Sequence, residues 1–324
     1  MTLTQLEYIL AIARTGNFSK AAEECHVTQP SLSTQVMKLE EELAVRIFDR
    51  DRRSVTMTDA GREILEMAQR VLNESQRIHD IALSYQKEIR GVLRLGIIPT
   101  IGPYLLPAFS AALARDYKGL SVEISEDKTE SLIDALDKGR LDAAILSMPR
   151  KAPEALLERV LYYEPFCIFA HPKHPLLAKK TVALGDLENW TPSLLDDTHC
   201  MRDQLTQICA SQLREGQSIK LKIGTLQTLM QLVDQTQSFT LIPGLARTTL
   251  SAAQQKEQIK DFSEPIPTRK VSLVYHRSFL KKPLIEALLK TVQGHLPPGV
   301  FTQAPHTKVK VLDPGPQHFL PSHS

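Results

Sequence analysis

The segment Phe18-Ser19-Lys20-Ala21-Ala22-Glu23-Glu24-Cys25-His26-Val27-Thr28-Gln29-Pro30-Ser31-Leu32-Ser33-Thr34-Gln35-Val36-Met37-Lys38 places two helices around a tight turn. Ser19 is positioned to cap a short first helix, in which the small side chains of Ala21 and Ala22 permit close packing. Cys25-His26-Val27 is the turn, with Cys25 packed in it. Thr28 caps the second helix, and Pro30 is tolerated in its first turn because the amide it lacks has no helical partner there. Leu32, Val36, Leu39 and Leu43 form one apolar stripe. Gln29, Ser31, Thr34, Gln35 and Lys38 are left to face outward. A short helix, a turn and a polar-faced helix make a helix-turn-helix, whose second helix enters a major groove. Glutamine can pair with adenine edges, and Ser or Thr can reach bases or phosphates. Thr28, Pro30 and Ser33 complete the expected double-stranded DNA-binding surface. The alternative is an ordinary solvated helix face. Against it stand Arg46, Arg50, Arg52 and Arg53, clustered where Ser54-Val55-Thr56-Met57 reads as the strand of a wing, a place suited to phosphate contacts. Residues 1–60 hold seven Lys/Arg and nine Asp/Glu, so the positive charge is placed rather than abundant.

Upstream, Thr4-x-x-Glu7 has the form of a capping box for a helix carrying Leu6, Ile9, Leu10 and Ala13, and Gly16 stops it. Downstream, Thr58 or Asp59 opens a long helix to about Ile89. Ile64, Ala68, Val71, Ser75, Ile78, Ala82 and Tyr85 alternate steps of four and three, a heptad seam suited to dimerisation by coiled coil. The other reading of that seam is a helix lying on its own domain.

From Gly91 the pattern changes to alternating strands and helices, which predicts an α/β region with a largely parallel sheet. Strands are expected at Val92–Ile98, Val122–Glu126, Ala143–Met148, Pro165–Ala170, Phe239–Pro243 and Val271–His276. Helices are expected at Pro103–Lys118, Glu130–Gly139 and Pro283–Gly294. Segments 161–165 and 264–268 read as crossovers between two lobes. Thr100 and Thr225 follow strand ends, where each offers a hydroxyl to a small ligand or simply caps a helix. The resulting divisions are 1–58 for the winged helix-turn-helix, 59–90 for the linker helix and 91–295 for a two-lobed regulatory region. The first lobe comprises about 91–161 and 268–295, the second about 162–267. Residues 296–324, with Pro297, Pro298, Gly299, Pro305, Pro314 and Pro316, read as a disordered tail.

Composition bounds the rest. The chain has 324 residues, 42% of them hydrophobic and 23% charged, the profile of a globular protein of two or three domains. A net charge of +2 gives no global attraction to nucleic acid or membrane. No signal peptide and no apolar run of membrane-spanning length is present, so a cytoplasmic location is expected. Four cysteines are too few for a secreted disulfide framework. No zinc motif, P-loop or dinucleotide fingerprint occurs, and no metal or cofactor is expected.

Two of the cysteines lie in Asp196-Asp197-Thr198-His199-Cys200-Met201-Arg202-Asp203-Gln204-Leu205-Thr206-Gln207-Ile208-Cys209. The Asp and Thr residues suit a helix start. Cys200 then falls in the first turn, with His199 and Arg202 beside it, surroundings that favour a thiolate. On a helix, nine residues rise about 13.5 Å and leave Cys200 and Cys209 on opposite faces, beyond the roughly 7 Å between Cα atoms that a disulfide allows. Such a pair holds one conformation reduced and another oxidised. The alternative is that both are small apolar core residues. Cys167 reads as a buried strand residue.

Phe18-Ser19-x-Ala21-Ala22, Val27-Thr28-Gln29-Pro30-Ser31-Leu32-Ser33, Leu39-Glu40-x-Glu42-Leu43, Phe48-x-Arg50 and Thr58-x-Ala60-Gly61 resemble the helix-turn-helix of LysR-type transcriptional regulators. Ala44 departs from the glycine usual in that family. Ile98-Pro99-Thr100-Ile101-Gly102-Pro103-Tyr104-Leu105-Leu106-Pro107, together with His199-Cys200-x-Arg202-Asp203-Gln204 and Cys209, resembles the peroxide-responsive members, over residues 1 to about 295. The resemblance implies a two-lobed effector region like that of periplasmic binding proteins. It also implies a homodimer through the linker helix, assembly to a homotetramer, and an activator working with RNA polymerase. In such a protein hydrogen peroxide oxidises Cys200 and Cys209 resolves it as a disulfide. Thr100, Thr129, His199, Arg202, Asp203 and Arg269 line the peroxide pocket. Two rivals are a LysR-type regulator that binds a metabolite between its lobes and a thiol peroxidase enzyme.

Overall fold

The computed structural model describes residues 1–49, 55–84, 89–149, 152–196, 200–209, 223–279, 281–304 and 309–312. The chain divides into two compact units, one of Met1–Glu88 with Lys138–Arg140, the other of Ile89–Asp137 with Leu141–Ser324.

The first unit opens with α1 (Leu3–Thr15), α2 (Phe18–Glu24) and α3 (Gln29–Leu43). Thr2, not Thr4, caps α1, and Gln5 completes the box. Asn17, not Ser19, caps α2, its side-chain oxygen taking the amides of Ser19 and Lys20. In both cases several polar residues compete near a helix start, and the one left extended wins the cap. Thr28 caps α3 as expected, and Gly16 ends α1 in the left-handed region. Leu32, Val36 and Leu39 are fully buried, whereas Leu43 is exposed, because α3 ends there and the chain turns away. That turn uses Ala44 at φ 52°, the left-handed conformation for which glycine is the usual choice. β1 (Phe48–Asp49) and β2 (Thr56–Met57) pair antiparallel as the wing, and Glu40 Oε1 accepts from the amides of Ile47 and Phe48 at its base. α4 (Asp59–Ser84) begins where Thr58 accepts from the amide of Gly61; a side chain at Gly61 would collide with the Ile47 carbonyl. Ala68 of the heptad seam is buried in this unit's own core, with Ile64 and Val71 packed against it, whereas Ile78 is 69% exposed. Both readings of the seam thus have their share of the helix. The side chains of Ala82 and Tyr85 lie outside the described residues.

The second unit is a mixed sheet with helices on it. β3 (Gly91–Ile97) pairs parallel with β4 (Leu120–Glu126) and with β5 (Ala143–Leu146). α5 (Gly102–Asp116) and α6 (Thr129–Asp137) are the crossovers. The expectation of a largely parallel sheet fails in the middle. β6 (Leu156–Ala170) and β9 (Ile266–His276) are long strands that pair antiparallel with each other, and β5 pairs antiparallel with β9. Of the expected crossovers 161–165 and 264–268, the first and residues 266–268 of the second lie within the long strands β6 and β9, and the pairing shifts register between Val160 and Tyr162. Further along, β6 pairs with β7 (Phe239–Pro243) and β8 (Ile259–Asp261). α7 (Cys200–Cys209), α8 (Leu226–Thr236) and α9 (Ala252–Gln258) complete the second lobe, and α10 (Lys282–Gly294) returns to the first. Each lobe has its own apolar core.

Of the expected tail 296–324, residues 305–308 and 313–324 lie outside the described residues; two described parts of it are paired. Phe301 bridges to Tyr163, and β10 (Val309–Leu312) pairs parallel with Ile266–Arg269 of β9. Prolines broke the pattern on either side, and four residues of strand carried too weak a signal to be read.

Candidate functional site

The site sits where α7 meets both lobes. Cys200 is 3% exposed and packs in the first lobe's core, whereas its neighbours Met201 and Leu205 pack in the second's. The first turn of α7 thus straddles both lobes. Gln204, one turn on, shares the face of Cys200. Its Nε2 donates to Ser147 Oγ, 3.1 Å away in the first lobe, and to the Leu312 carbonyl at 2.9 Å.

Arg269, fully buried on β9, organises the opposite wall. Its Nε and Nη2 donate to Glu164 Oε2 at 2.8 and 2.7 Å. Its Nη1 donates to Thr100 Oγ1 at 3.0 Å and its Nη2 to the Thr100 carbonyl at 2.9 Å. Glu164, also fully buried, uses its second oxygen to accept from the Leu245 amide at 2.7 Å. Burial works against the charge of Arg269, yet Glu164 and Tyr162 hold its pKa above the ordinary value. The hydroxyl of Thr100 accepts from Arg269 and so keeps its own proton to donate.

Three buried polar atoms here have no nitrogen or oxygen partner among the described residues: Thr129 Oγ1, Gln204 Oε1 and Tyr162 Oη. Buried polar groups are normally paired. Unpaired buried groups of this kind are what a small polar guest could satisfy. The Thr129 hydroxyl also acts on Cys200, favouring its thiolate.

The surroundings of the thiol differ from those read in the sequence. Burial pushes the Cys200 pKa up, above the usual thiol value, and Asp203 adds to the rise; Thr129, Arg269 and the Met201 amide pull the other way without prevailing. Arg202 does not help, since its Nη1 donates to the Leu195 carbonyl at 3.0 Å. His199, like the capping residues Asp197 and Thr198, lies outside the described residues, as does the side chain of Cys209. Cys167 is buried on β6 with its pKa pushed up to about 12, chiefly by burial. Cys25 is half-buried at the turn, its thiol also raised by burial and by Glu7.

Glu164, Gln204, Ser147 and Tyr162 were not singled out from sequence as site residues. Gln204 did sit in the quoted motif, one turn from Cys200, and that spacing was the available signal. Thr225, the other strand-end hydroxyl, caps α8 by accepting from the Thr228 amide. It also lines a cavity of 450 Å³ with Pro99, Tyr104, Glu126, Gln227 and Asp234.

On the first unit, Thr28, Gln29, Pro30, Ser31, Thr34 and Lys38 are exposed along one side of α3, while Ser33 and Gln35 are half-buried. The Gln35 amide oxygen accepts from Gln5 Nε2 at 3.3 Å, so it is not open for a two-point contact to adenine. The hydroxyl of Thr34 donates back to the Pro30 carbonyl. Arg50, Arg52 and Arg53 lie outside the described residues. Accordingly Gln29→Ala should relax base preference at one position by about 1–3 kcal/mol. Lys38→Ala should weaken binding to all sequences and lower the salt slope by about one. Salt-dependent titrations on matched and shuffled operators check this, and equal loss on both for Gln29→Ala would remove Gln29 from base recognition.

Residues 3–62 match the family of bacterial regulatory helix-turn-helix proteins of the lysR type, and residues 86–297 match the LysR substrate binding domain. The chain belongs to the LysR family. Among its LysR-family relatives, the hydrogen peroxide-inducible genes activator of Dickeya chrysanthemi is 35% identical over 302 residues, covering 91% of this chain and 96% of that protein. The DNA-binding transcriptional dual regulator OxyR of Escherichia coli strain K12 is 33% identical over 302 residues, covering 91% and 97%. Among solved structures, a cysteine-to-aspartate variant of full-length OxyR from Pseudomonas aeruginosa superposes with a TM-score of 0.73 at 33% identity, covering 90% of this chain and 98% of that one. A hydrogen-peroxide-bound cysteine-to-serine variant of OxyR from Corynebacterium glutamicum gives 0.61 at 30% identity, covering 91% and 92%. This LysR-family chain therefore shares the winged helix-turn-helix and the two-lobed regulatory architecture of the OxyR structures. No described helix is long and apolar enough to cross a membrane.

Proposed function

We propose that this chain is a peroxide-responsive transcriptional activator in which Cys200 is the reacting thiol and Cys209 the resolving one. The observation that carries the reading is a buried thiol at the lobe junction, beside the Thr129 hydroxyl and the buried guanidinium of Arg269, with the unpartnered oxygen of Gln204 one helical turn away in sequence. Hydrogen peroxide is small enough to enter such a place and needs both donors and acceptors. The Cys200 proton leaves first, and the thiolate sulfur attacks one peroxide oxygen. The O–O bond breaks, sulfur gives up two electrons to become a sulfenic acid, and the departing hydroxide takes a proton to form water. Thr129 and the Arg269–Thr100 pair support the charge that develops on oxygen. The Cys209 thiolate then attacks the sulfenic sulfur, the S–O bond breaks, water leaves and the disulfide forms. Two such chains joined through the linker helices present two helix-turn-helix units to two half-sites of promoter DNA.

A sensor and a thiol peroxidase differ in turnover: the sensor reacts about once per oxidation cycle, the peroxidase many times with a reductant. Titrating reduced protein with hydrogen peroxide while footprinting a promoter is the test. One equivalent should consume two thiols and change the footprint, and Cys200→Ser should do neither. Many turnovers with a dithiol reductant and no change in footprint would favour the peroxidase. The cavity beside Thr225 favours a second reading, a metabolite effector; it predicts a ligand response that survives Cys200→Ser.

A further inference from the structure

The LysR regulatory match ends at residue 297, and β10 lies beyond it. β5 pairs with Ser272–Tyr275 of β9 and stops there. β10 takes up the same edge at Ile266–Arg269, with Leu312 in register opposite Arg269. The side chains alternate: Val311 is 41% exposed, whereas Leu312 is fully buried in the second lobe's core. The carbonyl of Leu312 meets the Gln204 amide. Both hydrogens of Gln204 Nε2 are then spoken for, one by Ser147 and one by Leu312, and the orientation of Oε1 follows from those two bonds. Oε1 is left as a buried acceptor one turn from Cys200, without a partner among the described residues.

We propose that the C-terminal strand Val309–Leu312 is a positioning element of the Cys200 site, which aims the Gln204 amide and holds α7 helical in the thiol form. The inference rests on the peroxide-sensor reading for its purpose, but not for its geometry. Disulfide formation takes residues 200–209 out of the helix and carries Gln204 away from Leu312. A segment that binds helical α7 and not the unwound form stabilises the thiol state, and by reciprocity the helix holds the strand. The strand therefore sets how readily the switch closes.

The test compares full-length protein with a chain ending at Lys308, with Leu312→Asp, which places a charge in the core, and with Val311→Asp, which places it in solvent. Amide exchange in 200–209 of the reduced protein should quicken about tenfold in the first two. The thiol–disulfide equilibrium should shift toward the disulfide by a similar factor, about 30 mV. Val311→Asp should behave as wild type. Unchanged exchange in the truncated chain would overturn the proposal. So would equal effects of Val311→Asp and Leu312→Asp, or a loss of protection spread equally over β6 and β9, which would make the strand a general part of the core. Exchange on reduced protein needs no peroxide. A Cys200 that ignores peroxide in the wild type would therefore sink the sensor reading without moving this measurement.

Discussion

Arg269→Met should slow peroxide oxidation of Cys200 by tenfold or more at neutral pH and cost the regulatory region about 3–5 kcal/mol, because it strands the buried Glu164 without its partner. For a unit of this size that is a fall in Tm on the order of 10 °C. The two effects are separable. Arg269→Met/Glu164→Gln removes the stranded charge, and the glutamine oxygen can still accept from the Leu245 amide, so most of the stability should return. Oxidation should stay slow, since Thr100 has lost both donors and Cys200 the positive charge that lowers its pKa. The pH profile decides whether charge is the cause. Arg269 lowers the Cys200 pKa against the rise from burial, so removing it raises that pKa further. At a pH below the pKa, the thiolate fraction falls in proportion to the acidity constant that the thiol loses. The deficit should therefore be large at pH 7 and shrink as the pH rises through the thiol range. A constant deficit at all pH values would assign Arg269 a shaping role alone, and wild-type rates throughout would remove it from the site.

That Arg269 and Cys200 belong to one site was legible only through family resemblance. Local pattern reveals helices well. Thr28 capping α3, Gly16 ending α1 and the buried Leu32-Val36-Leu39 stripe all follow from rules spanning a turn or two of helix. Glu164 shows where such rules stop. It stands in Tyr162-Tyr163-Glu164-Pro165, a segment that reads as a crossover. Its partner is 105 positions away, brought alongside only because β6 and β9 run unbroken through both lobes. The thiol's surroundings were hard to read for a related reason. Reading Cys200 beside His199 and Arg202 treats neighbours in sequence as neighbours in space. On α7, Arg202 turns to the Leu195 carbonyl, while two of the groups that favour the thiolate, Thr129 and Arg269, arrive from other elements. Burial, the largest influence, leaves no local signature at all.

The other large effect concerns closure of the switch. Cys200 and Cys209 are the two ends of α7, about 13.5 Å apart along its axis and half a turn out of phase. A disulfide cannot form while that helix stands. Cys209→Ser should therefore still yield a sulfenic acid at Cys200, trapped by a dimedone-type probe, yet leave α7 as protected from exchange as in the reduced protein. If Cys209 resolves Cys200 in the wild type, oxidation must pull Met201 and Leu205 from the second lobe's core and break both bonds of Gln204. Burial of side chains of this size is worth about 1.5–3 kcal/mol each. Helical α7 is thus a real barrier, and the bond holds what thermal motion alone would populate rarely. Exchange across the described part of 200–209 should rise by orders of magnitude on oxidation, while α1 to α3 stay as they were. Operator affinity or footprint should change in the wild type and not in Cys209→Ser. A disulfide detected with α7 still protected would have to join Cys200 to some other sulfur, because this helix keeps Cys209 out of reach, and the assignment of Cys209 as the resolving thiol would fall.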